Sequence, residues 1–207
     1  MIFLTEDINR LETRYRGNLI NSITGFKSVS LVGTKSDRGL TNLAPISQIV
    51  HVGANPPLLG LLFRPNVVPR HTLENIQKTK CFTVNHINAG FLEKAHHTAA
   101  RWEGSEFDHC GLSEHYINGI EVPFVGESHL KIACELKEQL EIQSNGTHFL
   151  VGQITYIEIP DETLSPDGYV DIEAAGTITC SGLDSYHSTS RLARFTYAKP
   201  DHQPKKL

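Results

Sequence analysis

Between residues 64 and 76 the chain sets two arginines and a histidine ahead of what reads as a helix start: Arg64-Pro65, then Arg70-His71-Thr72-Leu73-Glu74-Asn75-Ile76. The first N–H groups of a helix lack partners and sit at its positive dipole end, so an anion is favoured there. A hydroxyl cap at Thr72, exposed amides and the cations Arg64, Arg70 and His71 together supply the donors a phosphate needs. The plain alternative is a solvated loop followed by a capped helix. A second dense segment, Thr41-Asn42-Leu43-Ala44-Pro45-Ile46-Ser47, follows a turn at 36–39 and offers hydroxyls, an amide and free backbone N–H groups around a proline. Read by itself, it is a strand entry stiffened by Pro45.

Other chemistry-bearing residues are less concentrated. Among 11 histidines, His96-His97 with Asp108-His109-Cys110 and His115 form the one cluster of ligand-type side chains. Their spacing matches neither structural nor catalytic zinc sites, so solvated helix and loop residues are the stronger reading and a metal the weaker one. His86 and His187 read as structural or surface histidines. The four cysteines, Cys81, Cys110, Cys134 and Cys180, include no C-x-x-C pair and are expected to be reduced and mostly buried. No G-x-G-x-x-G, G-x-x-x-x-G-K-[ST] or G-x-S-x-G motif is present. A nucleotide cofactor must therefore be held by something other than a glycine-rich turn.

The elements that position these residues are mostly strands. From Leu130 to Ile142 the even positions Leu130, Ile132, Cys134, Leu136, Leu140 and Ile142 are apolar. A period of two predicts a long strand with one buried face. Asn145-Gly146 then turns the chain into a return strand through 148–159. Further strands are expected at 29–34, 46–52, 58–63, 82–84 and 169–178. Short helices are expected from Thr72, from Asn88 and within 104–111. Many short strands with helices between them predict an antiparallel barrel with α extensions, mainly β, and not a doubly wound sheet.

The chain has 207 residues, 39% apolar, with 19 basic against 23 acidic side chains. At roughly 150 residues per domain this is one domain with extensions. A net charge of −4 with interspersed signs excludes a basic face for nucleic acid. The longest apolar run, 58–63, is too short to cross a bilayer, and Glu6 and Asp7 follow Met1 where a leader would be apolar. A cytoplasmic protein is the expectation.

Taken in order, these motifs resemble the flavin reductase-like family with its FMN-binding split barrel. The strand Val29-Ser30-Leu31-Val32-Gly33-Thr34 leads to Asn42-Leu43-Ala44-Pro45-Ile46-Ser47, an N-L-A-P-x-S loop. Pro56-Pro57-Leu58 follows, then a basic-x-T-L-x-N-I run at Arg70 to Ile76. The resemblance is close over 26–87 and looser over 126–186. It implies residues 1–22 as an N-terminal extension, 23–187 as the domain and 188–207 as an extension with a flexible end. It also implies a homodimer that binds FMN near the subunit interface, with NADH or NADPH as hydride source. Thr34, Asn42, Leu43, Ala44 and Ser47 would surround the flavin, and Arg64, Arg70, His71 and Thr72 its phosphate. No side chain is expected to act as acid, base or nucleophile, because the flavin carries the chemistry. A flavin carrier or electron-transfer protein that does not itself turn over is the alternative on the same fold. Two features depart from the family pattern: His71 stands where many relatives have an acid, and Ser181-Gly182-Leu183-Asp184-Ser185-Tyr186 replaces a Gly-Gly ahead of tyrosine.

Overall fold

A computed structural model describes residues 1–65 and 68–207. Helices α1 (Thr5–Arg10) and α2 (Thr13–Ile23) precede strands β1 (Lys27–Ser28), β2 (Ser30–Lys35), β3 (Thr41–Ile46), β4 (Ile49–Ala54) and β5 (Pro57–Phe63). Helix α3 (His71–Thr79) and strand β6 (Cys81–His86) follow, then α4 (Leu92–His97) and α5 (Glu106–Cys110). The second half holds β7 (Glu114–His115), β8 (Phe124–Val125), the long pair β9 (Lys131–Ile142) and β10 (Thr147–Glu158), and a last hairpin of β11 (Thr179–Ser181) and β12 (Ser185–His187).

Seven strands form one antiparallel sheet in the order β3-β2-β6-β9-β10-β5-β4. It curls without closing: β3 and β4 are its two edges and do not pair with each other. The architecture is the mainly β, antiparallel barrel with α extensions that the strand pattern predicts, left open as the split barrel that the family resemblance implies. Side chains of successive strand residues point to opposite faces, and on β2 both faces are covered. Val32 joins Leu61, Leu73, Ile76, Phe82 and Leu150 in one cluster, while its neighbour Leu31 joins Leu43, Ile87, Phe91, Phe107 and Ile178 in the other. Helix α3 closes the first cluster with Leu73 and Ile76, three residues apart on one helix face. Burial of each such side chain stabilises the fold by about 2 kcal/mol. In the run 29–34, the adjacent apolar residues Leu31 and Val32 serve the two cores at once. Gly33, in the middle of that run, has no room for a side chain: a Cβ there would meet the Pro123 carbonyl and the Thr83 hydroxyl.

Several expectations change in detail. The alternation over 130–142 buries only its first half. Ile132, Cys134 and Leu136 pack against the core, but Leu140 and Ile142 stay exposed, because β6 pairs with β9 only from Lys131 to Glu135 and then ends. The turn at Asn145-Gly146 is part of a longer loop, 143–146, in which Gly146 has φ +73°. Pro45 and Ile46 belong to β3, so the next strand starts later, at Ile49. Residues 169–178 are not a strand. Asp171 accepts a hydrogen bond from the Ala174 N–H at 3.1 Å and starts a turn that Gly176 completes at φ +76°, which delays the strand to β11. All four cysteines are free, three of them buried and Cys81 half-buried. Among the described residues no helix is long and apolar enough to cross a membrane.

Candidate functional site

Thr34 on β2 and Asn42 on β3 are cross-strand partners. Helix α3 lies across this pair and meets it with two polar side chains one turn apart. Asn42 Nδ2 donates to Thr72 Oγ1 at 2.8 Å, and Asn75 Nδ2 donates to Thr34 Oγ1 at 3.1 Å. All four side chains are buried, so each bond satisfies groups that would otherwise be stranded away from water. Thr72 is not the helix cap expected from the sequence. Arg70 occupies that position, at φ −127° and ψ 81°, and Thr72 is the second helical residue with its hydroxyl turned to Asn42. No side chain caps the helix. Its first amides are left to water or to a ligand.

The N-L-A-P segment is the strand entry stiffened by Pro45 that its residues suggest, and not the loop with free N–H groups that the resemblance implies. It is the edge strand β3, and its even-numbered residues face β2 in the ladder. Of the outward positions, Pro45 has no N–H, and the Leu43 N–H donates to Glu106 Oε2 at 2.8 Å. Thr41 Oγ1 is 2.7 Å from Ser105 Oγ and donates to Glu114 Oε1 at 2.6 Å. Proline and a buried carboxylate thus blunt an edge that would otherwise recruit another strand. Leu43 itself is fully buried in the core, while Ala44 and Ser47 are half-exposed. Burial pushes the Cys180 thiol on β11 up, with Lys27 and Ser47 pulling the other way. The terminal hairpin joins the chain's first strands through β11, which pairs antiparallel with β1. On its second strand His187 Nε2 is 2.9 Å from Ser181 Oγ, with its ring edge-on to Phe26.

The cations gather at the other end. Arg70 is half-buried and its Nε donates to the Pro65 carbonyl at 3.1 Å, which ties it to the segment just after the exposed Arg64. His71 is exposed at the first helical position. Glu74 is turned away to the backbone, its Oε1 accepting from the Arg70 N–H at 3.3 Å. Among the described residues, neither Arg64 nor Arg70 is in an ion pair with a carboxylate. An uncapped nine-residue helix, a threonine hydroxyl and unpaired guanidinium charge form a donor set suited to a phosphate monoester. The residues present fit the phosphate end of a flavin nucleotide.

The histidines of the 96–115 region do not converge. His96 Nδ1 is 2.7 Å from the Tyr186 hydroxyl, and His97 and His109 pack on Trp102, the latter stacked at 4.7 Å and 9°. Among the described residues no three His, Cys, Asp or Glu side chains are placed to hold a metal ion. His86 ends β6 with its Nδ1 3.0 Å from Thr177 Oγ1, and burial pushes its imidazole down to about 4. It braces the 170s loop against the sheet. The sequence places Thr34 and Asn42 at the flavin and Thr72 at its phosphate, and the structure joins the three through α3 and the sheet; Asn75 and Glu106 are not assigned from sequence. Asn75 lies within the motif that was read, one turn after Thr72. Glu106 had only a faint signal, an acid next to the apolar Phe107 in a short helix.

The comparisons agree with this geometry. A flavin reductase-like domain model matches residues 26–174. An uncharacterized protein of Halalkalibacterium halodurans is 30% identical over 156 residues, covering 72% of this chain and 74% of its own. A crystal structure of a candidate flavin reductase with a split barrel domain from Shewanella frigidimarina superposes with a TM-score of 0.92 at 45% identity, covering 96% of this chain and 100% of that one. Nitrilotriacetate monooxygenase component B from Bacillus cereus shares the fold at a TM-score of 0.83 and 20% identity, over 94% of this chain and 98% of its own. With the domain model matched over 26–174 and relatives at 30% and 45% identity covering most of the chain, the chain belongs to the flavin reductase-like family.

Proposed function

We propose that the protein is an NAD(P)H-dependent FMN oxidoreductase that takes hydride from a nicotinamide and passes electrons to a further acceptor. The observation that carries the reading is the uncapped start of α3 with Thr72 and Arg70 beside it, next to the N-L-A-P strand, in a chain of this family. When bound, FMN supplies the hydride-accepting ring. The chain's own contribution is positional. Arg70, Arg64, His71, Thr72 and the first amides of α3 would hold the phosphate. Ala44 and Ser47, half-exposed along β3, would border the ring, with buried Leu43 as its support. Thr34 and Asn42 would act from beneath through α3. No acid–base group is required of the protein, since hydride transfer between two rings depends on their distance and orientation.

The working unit in this reading is a cytoplasmic homodimer of the 23–187 domain with its two extensions. Purified protein given FMN should oxidise NADH or NADPH in steady state. Absence of turnover with both nucleotides, with FMN still bound, would leave a flavin carrier or electron-transfer protein instead. Arg70→Ala should weaken FMN by about tenfold and riboflavin by much less, since only FMN carries the charge that Arg70 meets. Equal binding of the two flavins before and after the substitution would remove the phosphate assignment.

A further inference from the structure

The bonds from Asn42 to Thr72 and from Asn75 to Thr34 form a closed pattern. Two cross-strand partners on the sheet each meet one of two side chains a helical turn apart on α3. All four residues are more than nine-tenths buried, at 0% exposure for Thr34, 6% for Thr72, 7% for Asn75 and 8% for Asn42. We propose that Asn75 is a positioning residue for the anion seat: its bond to Thr34, with the Asn42–Thr72 bond beside it, sets where the first turn of α3 presents its amides and the Thr72 hydroxyl. The proposal rests on the FMN reading above and adds a role for a residue that does not line the seat.

Leu73 and Ile76 hold α3 on the sheet, but apolar contact is non-directional and lets a helix slide along its groove. Two hydrogen bonds at different points of the helix remove that freedom, because each weakens steeply away from its optimal distance and angle. Anion recognition by amides and a hydroxyl needs placement to within about half an ångström. The direction of the bonds matters as well. Both asparagine amides donate and both threonine oxygens accept, so the Thr72 hydroxyl proton is not spent on Asn42 and remains for a ligand. Asn42 and Thr34 then act through α3, not by touching the cofactor.

The test measures FMN and riboflavin affinity, by calorimetry, in the wild type, Asn75→Leu, Thr34→Val and the double variant. Each single change should weaken FMN by about five- to tenfold while riboflavin changes by less than about twofold. The double variant should be no worse than the worse single one, since both remove the same bond. Thr34→Ser keeps the accepting oxygen and should restore most of the FMN affinity that Thr34→Val loses. Loss of both flavins by the same factor, or no loss of FMN, overturns the proposal, because a general loosening of the fold does not distinguish a phosphate. If Asn75→Leu does not fold, Thr34→Val asks the same question from the sheet side. Failure of the wild type to bind either flavin would refute the FMN reading. The positioning role is then decided without ligand by amide hydrogen exchange: residues 74–76 should exchange about tenfold faster in Thr34→Val with β9 and β10 unchanged, and equal protection overturns it.

Discussion

Acidification should destabilise the protein through His86 in a way that can be isolated. The ring ends β6, is bonded to Thr177 and is held in its neutral form, burial having moved it from 6.5 to about 4. In the unfolded chain the same ring titrates near 6.5. Between those two values the unfolded state binds a proton that the folded state refuses, so stability is full above the upper value and is lost as pH falls toward the lower one. The shift of about 2.5 pH units corresponds to a ceiling of about 3 kcal/mol, of which about 2 kcal/mol is lost by about pH 5. Urea unfolding at a series of pH values, for the wild type and for His86→Gln, gives the measurement. The glutamine keeps a hydrogen-bonding group near Thr177 without titrating. The other histidines contribute equally to both proteins, so the difference between the two curves belongs to His86. That difference should shrink by about 2 kcal/mol from neutral pH to about pH 5. Parallel curves, or an NMR titration of the His86 ring near its ordinary value, would refute the argument that burial excludes the charged form.

Two further substitutions test the parts of the fold that shape the site. Glu106→Ala should destabilise by about 1–3 kcal/mol because it strands the Leu43 N–H at the edge of β3, while Glu106→Gln keeps an acceptor and should lose less than about 1 kcal/mol; equal losses in urea unfolding would contradict the edge-capping role. Gly33→Ala should lose about 2 kcal/mol or more, since the Pro123 backbone and Thr83 leave no volume for a methyl group, and a loss under about 0.5 kcal/mol would show that the approach is looser than described.

Much of this molecule is legible in its residue order because strand and turn signals are local. The long β9–β10 pair, the Gly39 turn with φ +85° and the helix from residue 71 all follow from periodicity or from backbone freedom at particular residues. The motif order from Val29 through Ile76 is likewise enough to identify the family. What stayed hidden depended on partners far away in sequence. Leu140 and Ile142 follow the buried alternation but are exposed, because burial is set by where β6 stops. Thr72 has the chemistry of a cap but turns inward, because a buried amide 30 residues earlier competes for its oxygen.

The linear sequence by itself determined most of the strands and helices, the antiparallel class and the family, since hydrophobic period, turn chemistry and motif order are written along the chain. Tertiary structure alone decided what those residues do. It put the N-L-A-P strand at the edge of the sheet and covered its Leu43 N–H with Glu106, and it locked α3 to β2 and β3 through Asn75 and Asn42. The physical reason is that a buried hydrogen bond is specified by two groups and the geometry between them. Only one of those groups is visible at any one position of a sequence.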